Sequence, residues 1–219
     1  MVFSVTKAKG ACLLFTHKFR PPFEYLLQKA LPSLIETYGA GFKRKLFAWS
    51  VGCSTGEEPY SLAIILSEFA ESHPRFMFEI MASDISTHVL NAALRGIYKE
   101  DRVDCIPMYL KKKYLLRSRD KTKGLVKVTK ELRQMVTFKR LNLMQEDLGI
   151  KDRMDIILFR NVLIYFDKYN QEIILNRLCN YLRPHGYLFV GHSETLTGLS
   201  VPCLQHENNT IYRRKDNFS

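Results

Sequence analysis

At 219 residues, 46% hydrophobic and 25% charged, with a net charge of +11, the chain suits one full globular domain with a sizeable core and is short for two. No apolar run approaches the roughly 18–20 residues that span a bilayer, and the N-terminus lacks the charged-then-apolar layout of a secretory signal, so a cytoplasmic location without membrane insertion is expected. The five cysteines are odd in number, scattered and without a CxxC pair, which argues against a disulfide framework and a metal site and for reduced thiols.

In "FEYLLQKALPSLIETY" (23–38), Phe23, Leu26, Leu27, Ala30, Leu31, Leu34, Ile35 and Tyr38 fall on one helical face, with Pro32 expected to kink or divide it and Gly39 to end it. "LFAWSV" (46–51) is continuously apolar, as a buried strand is. Helical spacing returns from Glu57 to about Glu71, "RFMFEIMASD" (75–84) reads as a second strand, and "ISTHVLNAALRG" (85–96) as a helix closed by Gly96. This alternation predicts right-handed βαβ units and a parallel sheet.

The rhythm then fails. Two short alternating runs, "GLVKVTK" and "QMVTFKRLNL", accompany a basic, turn-rich stretch, which predicts a small antiparallel β-subdomain over about 110–136, its last run rejoining the main sheet. Residues 99–140 hold fourteen Lys and Arg against five Asp and Glu, so nine of the eleven net charges sit there, facing an acidic partner or simply solvated. "RMDIILF" (153–159) follows as a buried strand, 168–182 as an amphipathic helix, "RPHGYLFVGH" (183–192) as a turn and strand, and "NTIYRRK" (209–215) as an antiparallel edge strand. The expected fold is α/β: a Rossmann-like, mostly parallel sheet over residues 46–215 with an antiparallel edge and the inserted β-subdomain, preceded by a linker helix over residues 1–45.

The chemistry concentrates in "FAWSVGCSTGEEPYSLAIIL" (47–66), where Gly52 and Gly56 interrupt two apolar runs and Glu57 and Glu58 follow at once. A strand, a glycine-bearing turn and a helix start make a nucleotide-type site at the carboxyl edge of a parallel sheet, and glycines let the backbone approach a ligand closely. Phosphate wants a helix N-terminus free of competing anions, and neither GxxxxGK[ST] nor GxGxxG is present. Carboxylates in that place predict a ligand with a cationic end, such as an amino-acid ammonium or one beside a sulfonium. Asp84, at the tip of the second strand, stands where an acidic residue accepts hydrogen bonds from ribose hydroxyls. Ammonium plus ribose points to S-adenosylmethionine. Singly, each feature has a plainer use: Glu57 and Glu58 suit a helix N-terminus, and Asp84 suits a cap.

"WSVGCSTGEEPYSLA" resembles the signature of the CheR-type chemotaxis receptor methyltransferases. The likeness continues through "ASDIS" with "LRGIY", "GLVKVTKELRQMVTFKRLNL" and "FRNVLIYFDKYNQEIILNRLCNYLRPHGYLFVGHSETL", covering about residues 12–214 in the family's order. The resemblance implies methyl transfer from S-adenosylmethionine to receptor glutamates, giving methyl esters and S-adenosylhomocysteine. It places Thr16 and Arg20 in the segment over the cofactor, Glu57 with its neighbour Glu58 at the methionine ammonium, Gly52 in the turn, and Asp84 at the ribose. Asn142 and Leu143 face the adenine, and Arg160, Asn161 and Tyr165 line the reacting centre. Arg20 and Tyr165 are the implied catalytic pair, Arg20 orienting the acceptor carboxylate. The implied partners are cytoplasmic receptor helices or another acidic protein, with a peptide adding as a strand at the β-subdomain edge.

Two departures stand out. About 45 residues precede the first strand, so most of the family's N-terminal helical domain is missing from this sequence, and Leu14 stands where relatives carry a polar residue. His192, in "GHSE", is expected to hold backbone at a strand end rather than act as a base, and Cys53 to pack as a small residue. The competing functions are a cofactor-binding regulatory or scaffold domain without turnover, or a methyltransferase acting on another protein or on nucleic acid. "RNVLIY" in place of an NPPY-like turn, and Tyr114 as the sole aromatic of 111–124, disfavour nucleic acid.

Overall fold

The computed structural model describes residues 20–216 and, for Arg20, Pro21 and Lys121, the backbone alone. Its first helical face is divided just before Pro32. α1 (Arg20–Tyr25) widens into one π turn at Leu26–Ala30 and continues as α2 (Leu31–Tyr38), with the Leu31 N–H reaching back to the Leu26 carbonyl. Pro32 has no N–H to give, and the wider turn accommodates the carbonyl this leaves over. Gly39, at φ +62°, ends α2.

β1 (Leu46–Val51) alternates between two cores, Leu46 and Ala48 joining one, Trp49 and Val51 the other. α3 (Glu57–Ser72) is buried on nearly every side from Pro59 to Phe69, wider than the single face formed by Leu62, Ile65, Leu66 and Phe69, because further elements cover its outer side. β2 (Phe78–Asp84) and α4 (Thr87–Arg95) complete the βαβα start. The inserted segment contains β3 (Ile97–Lys99), α5 (Met108–Tyr114), β4 (Leu115–Arg117), β5 (Leu125–Val128) and α6 (Lys130–Gln134), with the three strands paired antiparallel in the order β3-β5-β4. β6 (Val136–Arg140) rejoins the main sheet beside β2, as its sequence predicts.

β7 (Met154–Phe159), α7 (Lys168–Tyr181) and β8 (Leu182–Val190) follow; the Asp167 carboxylate caps α7 by accepting from the Asn170 N–H at 2.9 Å. A hairpin of β9 (Leu204–Asn208) and β10 (Ile211–Arg214) closes the chain. The sheet order is β6-β2-β1-β7-β8-β10-β9, parallel from β6 to β8 and antiparallel beyond. The strand in "NTIYRRK" is therefore not the edge: β9 lies outside it. All but the first residue of β9 are exposed, so no apolar alternation marks it.

One other expectation is corrected. Cys179 of α7 and Cys203, just before β9, form a disulfide, so these two cysteines are not reduced thiols. Folding the C-terminal hairpin beside α7 brings them together, which their spacing along the chain does not reveal. Asp155, inside the apolar "RMDIILF", is fully buried; the Arg44 guanidinium donates to its two oxygens at 2.7 and 2.5 Å and the Phe47 N–H to one of them at 2.9 Å. This ion pair ties the approach to β1 to β7 at the sheet edge away from the cleft described below. Among the described residues, no helix is long and apolar enough to cross a membrane.

Candidate active site

The carboxyl ends of β1, β2, β6 and β7 open onto one cleft of about 890 Å³. A crevice there is what open parallel sheets offer at the point where strand order reverses, and its size suits a nucleoside-sized ligand. Gly52, Glu57, Glu58, Asp84, Asn142, Leu143, Arg160, Asn161 and Tyr165 all line it. Of the remaining sequence candidates, Thr16 lies outside the described residues, as do Leu14 and the side chain of Arg20.

The turn after β1 is pinned to the end of β2. The N–H groups of Gly52 and Cys53 donate to the Ser83 carbonyl at 2.8 and 2.9 Å, and that of Ser54 to Asp84 Oδ2 at 3.0 Å. Asp84 Oδ1 accepts from the Ser86 N–H at 3.0 Å, so each oxygen already has one backbone donor and a second acceptor position left. Asp84 does not cap α4, which starts after Ser86 without a side-chain cap; its carboxylate instead joins the turn after β1 to the approach to α4.

Both glycines are also required by packing. A Cβ on Gly52 would meet Val162 Cγ2 at 2.4 Å, and one on Gly56 would meet Ala93 Cβ at 2.9 Å. Both have positive φ, +70° and +94°, which other residues adopt at a cost. The turn is thus pressed against the segment after β7 on one side and α4 on the other.

Glu57 and Glu58, adjacent in sequence, have different surroundings. Glu58 is largely enclosed, its side chain 14% exposed: Ser50 Oγ donates to its Oε1 at 2.7 Å and Arg160 Nη1 to its Oε2 at 3.4 Å. Burial raises its pKa, opposed by the Arg160 charge and these hydrogen bonds. Glu57 is more open, its side chain 35% exposed; it accepts from Thr55 Oγ1 at 2.6 Å and has the guanidinium of Arg102 at 4.0 Å. Glu57 is thus the acidic side chain with room for an incoming cation.

The opposite wall comes from the segments after β6 and β7. Leu141, Asn142 and Leu143 follow β6; Arg160, Asn161, Val162, Tyr165 and Phe166 follow β7. Asn161 adopts φ +58°, and Tyr165 is 78% exposed on a short 3-10 turn. That exposure rules out core packing as the reason for Tyr165. Cys53 is buried, and burial together with the Asp84 and Glu58 carboxylates pushes its thiol up to about 12, which leaves it protonated and unreactive.

The sequence missed several residues here. Arg102, Val89 and Ser61 line the cleft without any motif marking them. His192 is exposed and makes no hydrogen bond among the described residues, contrary to the expectation that it holds backbone. It lines a second, smaller cavity with Thr195 and Asn208. In "GHSE" the buried polar residue is Glu194.

Residues 15–211 match the family model described as CheR methyltransferase, SAM binding domain. The chain is 43% identical over 177 residues to the chemotaxis protein methyltransferase of Borreliella burgdorferi, covering 80% of this chain and 62% of that one. It is 45% identical over 169 residues to chemotaxis protein methyltransferase 2 of Pseudomonas aeruginosa, covering 77% and 60%. With the chemotaxis protein methyltransferase of Salmonella typhimurium the identity is 41% over 164 residues, covering 75% and 56%. The chain thus spans about six tenths of the length of these relatives.

Proposed function

The chain belongs to the CheR methyltransferase family, and from that premise we propose that it transfers the methyl group of S-adenosylmethionine to glutamate carboxylates of a chemotaxis receptor, forming methyl esters. One observation carries the reading: Glu57 and Asp84 project carboxylates into the same cleft from the exits of adjacent parallel strands. That donor set fits the cofactor, one acid for an ammonium group and one for a ribose, and it opposes a phosphate.

When bound, S-adenosylmethionine would supply a methyl group on a sulfonium sulfur for transfer to the acceptor oxygen, with S-adenosylhomocysteine as the product. A glutamate carboxylate has a reference pKa of about 4.3 and is already ionised near neutrality, so no residue has to act as a base. The protein's work is binding and alignment. Glu57 would hold the ammonium, and Glu58, bonded to Ser50 and Arg160, keeps Arg160 in place at the cleft. Asp84 uses its remaining acceptor positions for ribose hydroxyls. Leu143 and Asn142 supply an apolar face and a hydrogen-bonding edge for the adenine. To Arg20 we assign the acceptor carboxylate, since a planar guanidinium can hold one oxygen and leave the other to attack, and to Thr16 a cofactor contact, both on the family resemblance alone. Tyr165, exposed at the rim, directs its hydroxyl to the same group.

Incubation with labelled cofactor and a receptor signalling fragment tests the reading. Label released as methanol in mild base is expected. Asp84→Ala should weaken cofactor binding by about 100-fold or more through loss of charge-assisted hydrogen bonds. Arg20→Ala should leave binding within about 3-fold and remove transfer. No base-labile label, or equal loss of binding in both variants, contradicts the assignment.

A further inference from the structure

Glu194 is 6% exposed, yet makes no ion pair among the described residues. Its carboxylate is satisfied by three backbone donors. Oε2 accepts from the N–H groups of Gly191 at 2.6 Å and Asn161 at 2.9 Å, and Oε1 accepts from that of Leu163 at 3.0 Å. β7 and β8 run side by side to the register pair Phe159 and Val190, so this one side chain ties together the exits of two adjacent strands. The space is reserved for it: a Cβ on Gly191 would lie 2.5 Å from Glu194 Oε2 and 2.9 Å from the Asn161 nitrogen.

Burying a carboxylate costs several kcal/mol unless strong hydrogen bonds offset the loss of water. Here the offset comes from charge-assisted bonds to the backbone of the segment that supplies Asn161 and Tyr165 to the cleft. A glutamine would keep the size but offer one acceptor oxygen, and its NH₂ would face N–H groups. Gln171 braces the same segment from α7, its Nε2 donating to the Leu163 and Phe166 carbonyls at 2.9 Å each.

We propose that Glu194 is a positioning residue for methyl transfer, its carboxylate setting the left-handed backbone at Asn161 and the path of the turn to Tyr165. The inference rests on the methyl-transfer reading above and adds to it a residue that does not itself line the cleft. Glu194→Gln in the full chain is expected to lower kcat by about 100-fold while KM for S-adenosylmethionine stays within about 5-fold, as a misplaced reacting centre requires. Gln171→Ala should lower kcat less, and the double variant should lose less than the product of the two, since both act on one turn. Glu172→Gln is the control. Glu172 Oε1 accepts from the Ser200 N–H at 2.8 Å, away from the cleft, and its variant should keep wild-type kcat.

Amide resonances of Gly191, Asn161 and Leu163 supply a readout independent of turnover and should move in Glu194→Gln. Wild-type kcat per folded molecule in that variant, or unmoved Asn161 and Leu163 amides, overturns the proposal. Should Glu194→Gln fail to fold, Gln171→Ala decides, and an unchanged kcat there overturns it. Should the wild-type chain transfer no methyl group, the methyl-transfer reading fails, and the amide resonances alone decide whether Glu194 sets the turn.

Discussion

Cys53 shows how far the local field of the cleft differs from water. Its thiol is buried beside two carboxylates and pushed up to about 12. The folded protein holds this proton more tightly than the unfolded chain, whose thiol has a pKa of about 8.5. The associated stability is complete below that value and is lost as pH rises from there toward 12, with a slope of at most about 1.4 kcal/mol per pH unit. Urea midpoints measured from pH 8 to 10.5 should therefore fall in wild type and fall less steeply in Cys53→Ala, the buried tyrosines being common to both. Parallel curves would contradict the burial argument. At this scale the sequence was informative wherever a residue acts within its own βα unit. Glu57 and Asp84 could be assigned to the cleft because one stands a turn beyond the end of β1 and the other is the last residue of β2. The same logic could not separate Glu57 from Glu58, since what distinguishes them are the folded contacts of Glu58 with Ser50 on β1 and with Arg160, 102 residues away.

Among the elements, β7 carries the largest departure from an apolar pattern. Asp155 is fully buried with the Arg44 guanidinium across both its oxygens. Breaking a buried pair costs about 3–5 kcal/mol; Arg44 is partly solvated, so Asp155→Asn should cost about 3 kcal/mol by urea denaturation. A change under about 1 kcal/mol would mean the pair is not needed to join β7 to the approach to β1. Elements with both faces buried, or one clear apolar stripe, could be read directly: β1, β2, β7 and α7. β9 could not, because its side chains face solvent, and β3 could not, because three residues straight after a helix-ending glycine hold no period. The Cys179–Cys203 disulfide and the bonds of Glu194 to Asn161 and Leu163 are likewise pairings across elements, which no local spacing encodes. His192 drew attention as the chemically versatile residue of "GHSE", whereas the folded chain buries the glutamate two places on.

At the scale of the molecule, the parallel strands gather their exits at one edge, and the antiparallel hairpin extends the sheet on the β8 side. Part of the positive charge of the inserted segment is spent internally. Lys113 pairs with Glu68 and Glu71 of α3 at 2.6 and 2.5 Å, anchoring α5 and its subdomain, and Arg117 pairs with Glu100. The central claim is that the crevice at the strand exits receives a cationic amino-acid end and a ribose rather than a phosphate. Titration calorimetry of the chain with S-adenosylhomocysteine, alone and in the presence of inorganic pyrophosphate, tests this most directly. One-to-one binding that pyrophosphate does not diminish is the predicted result. No binding of S-adenosylhomocysteine, or its displacement by pyrophosphate, would contradict the account.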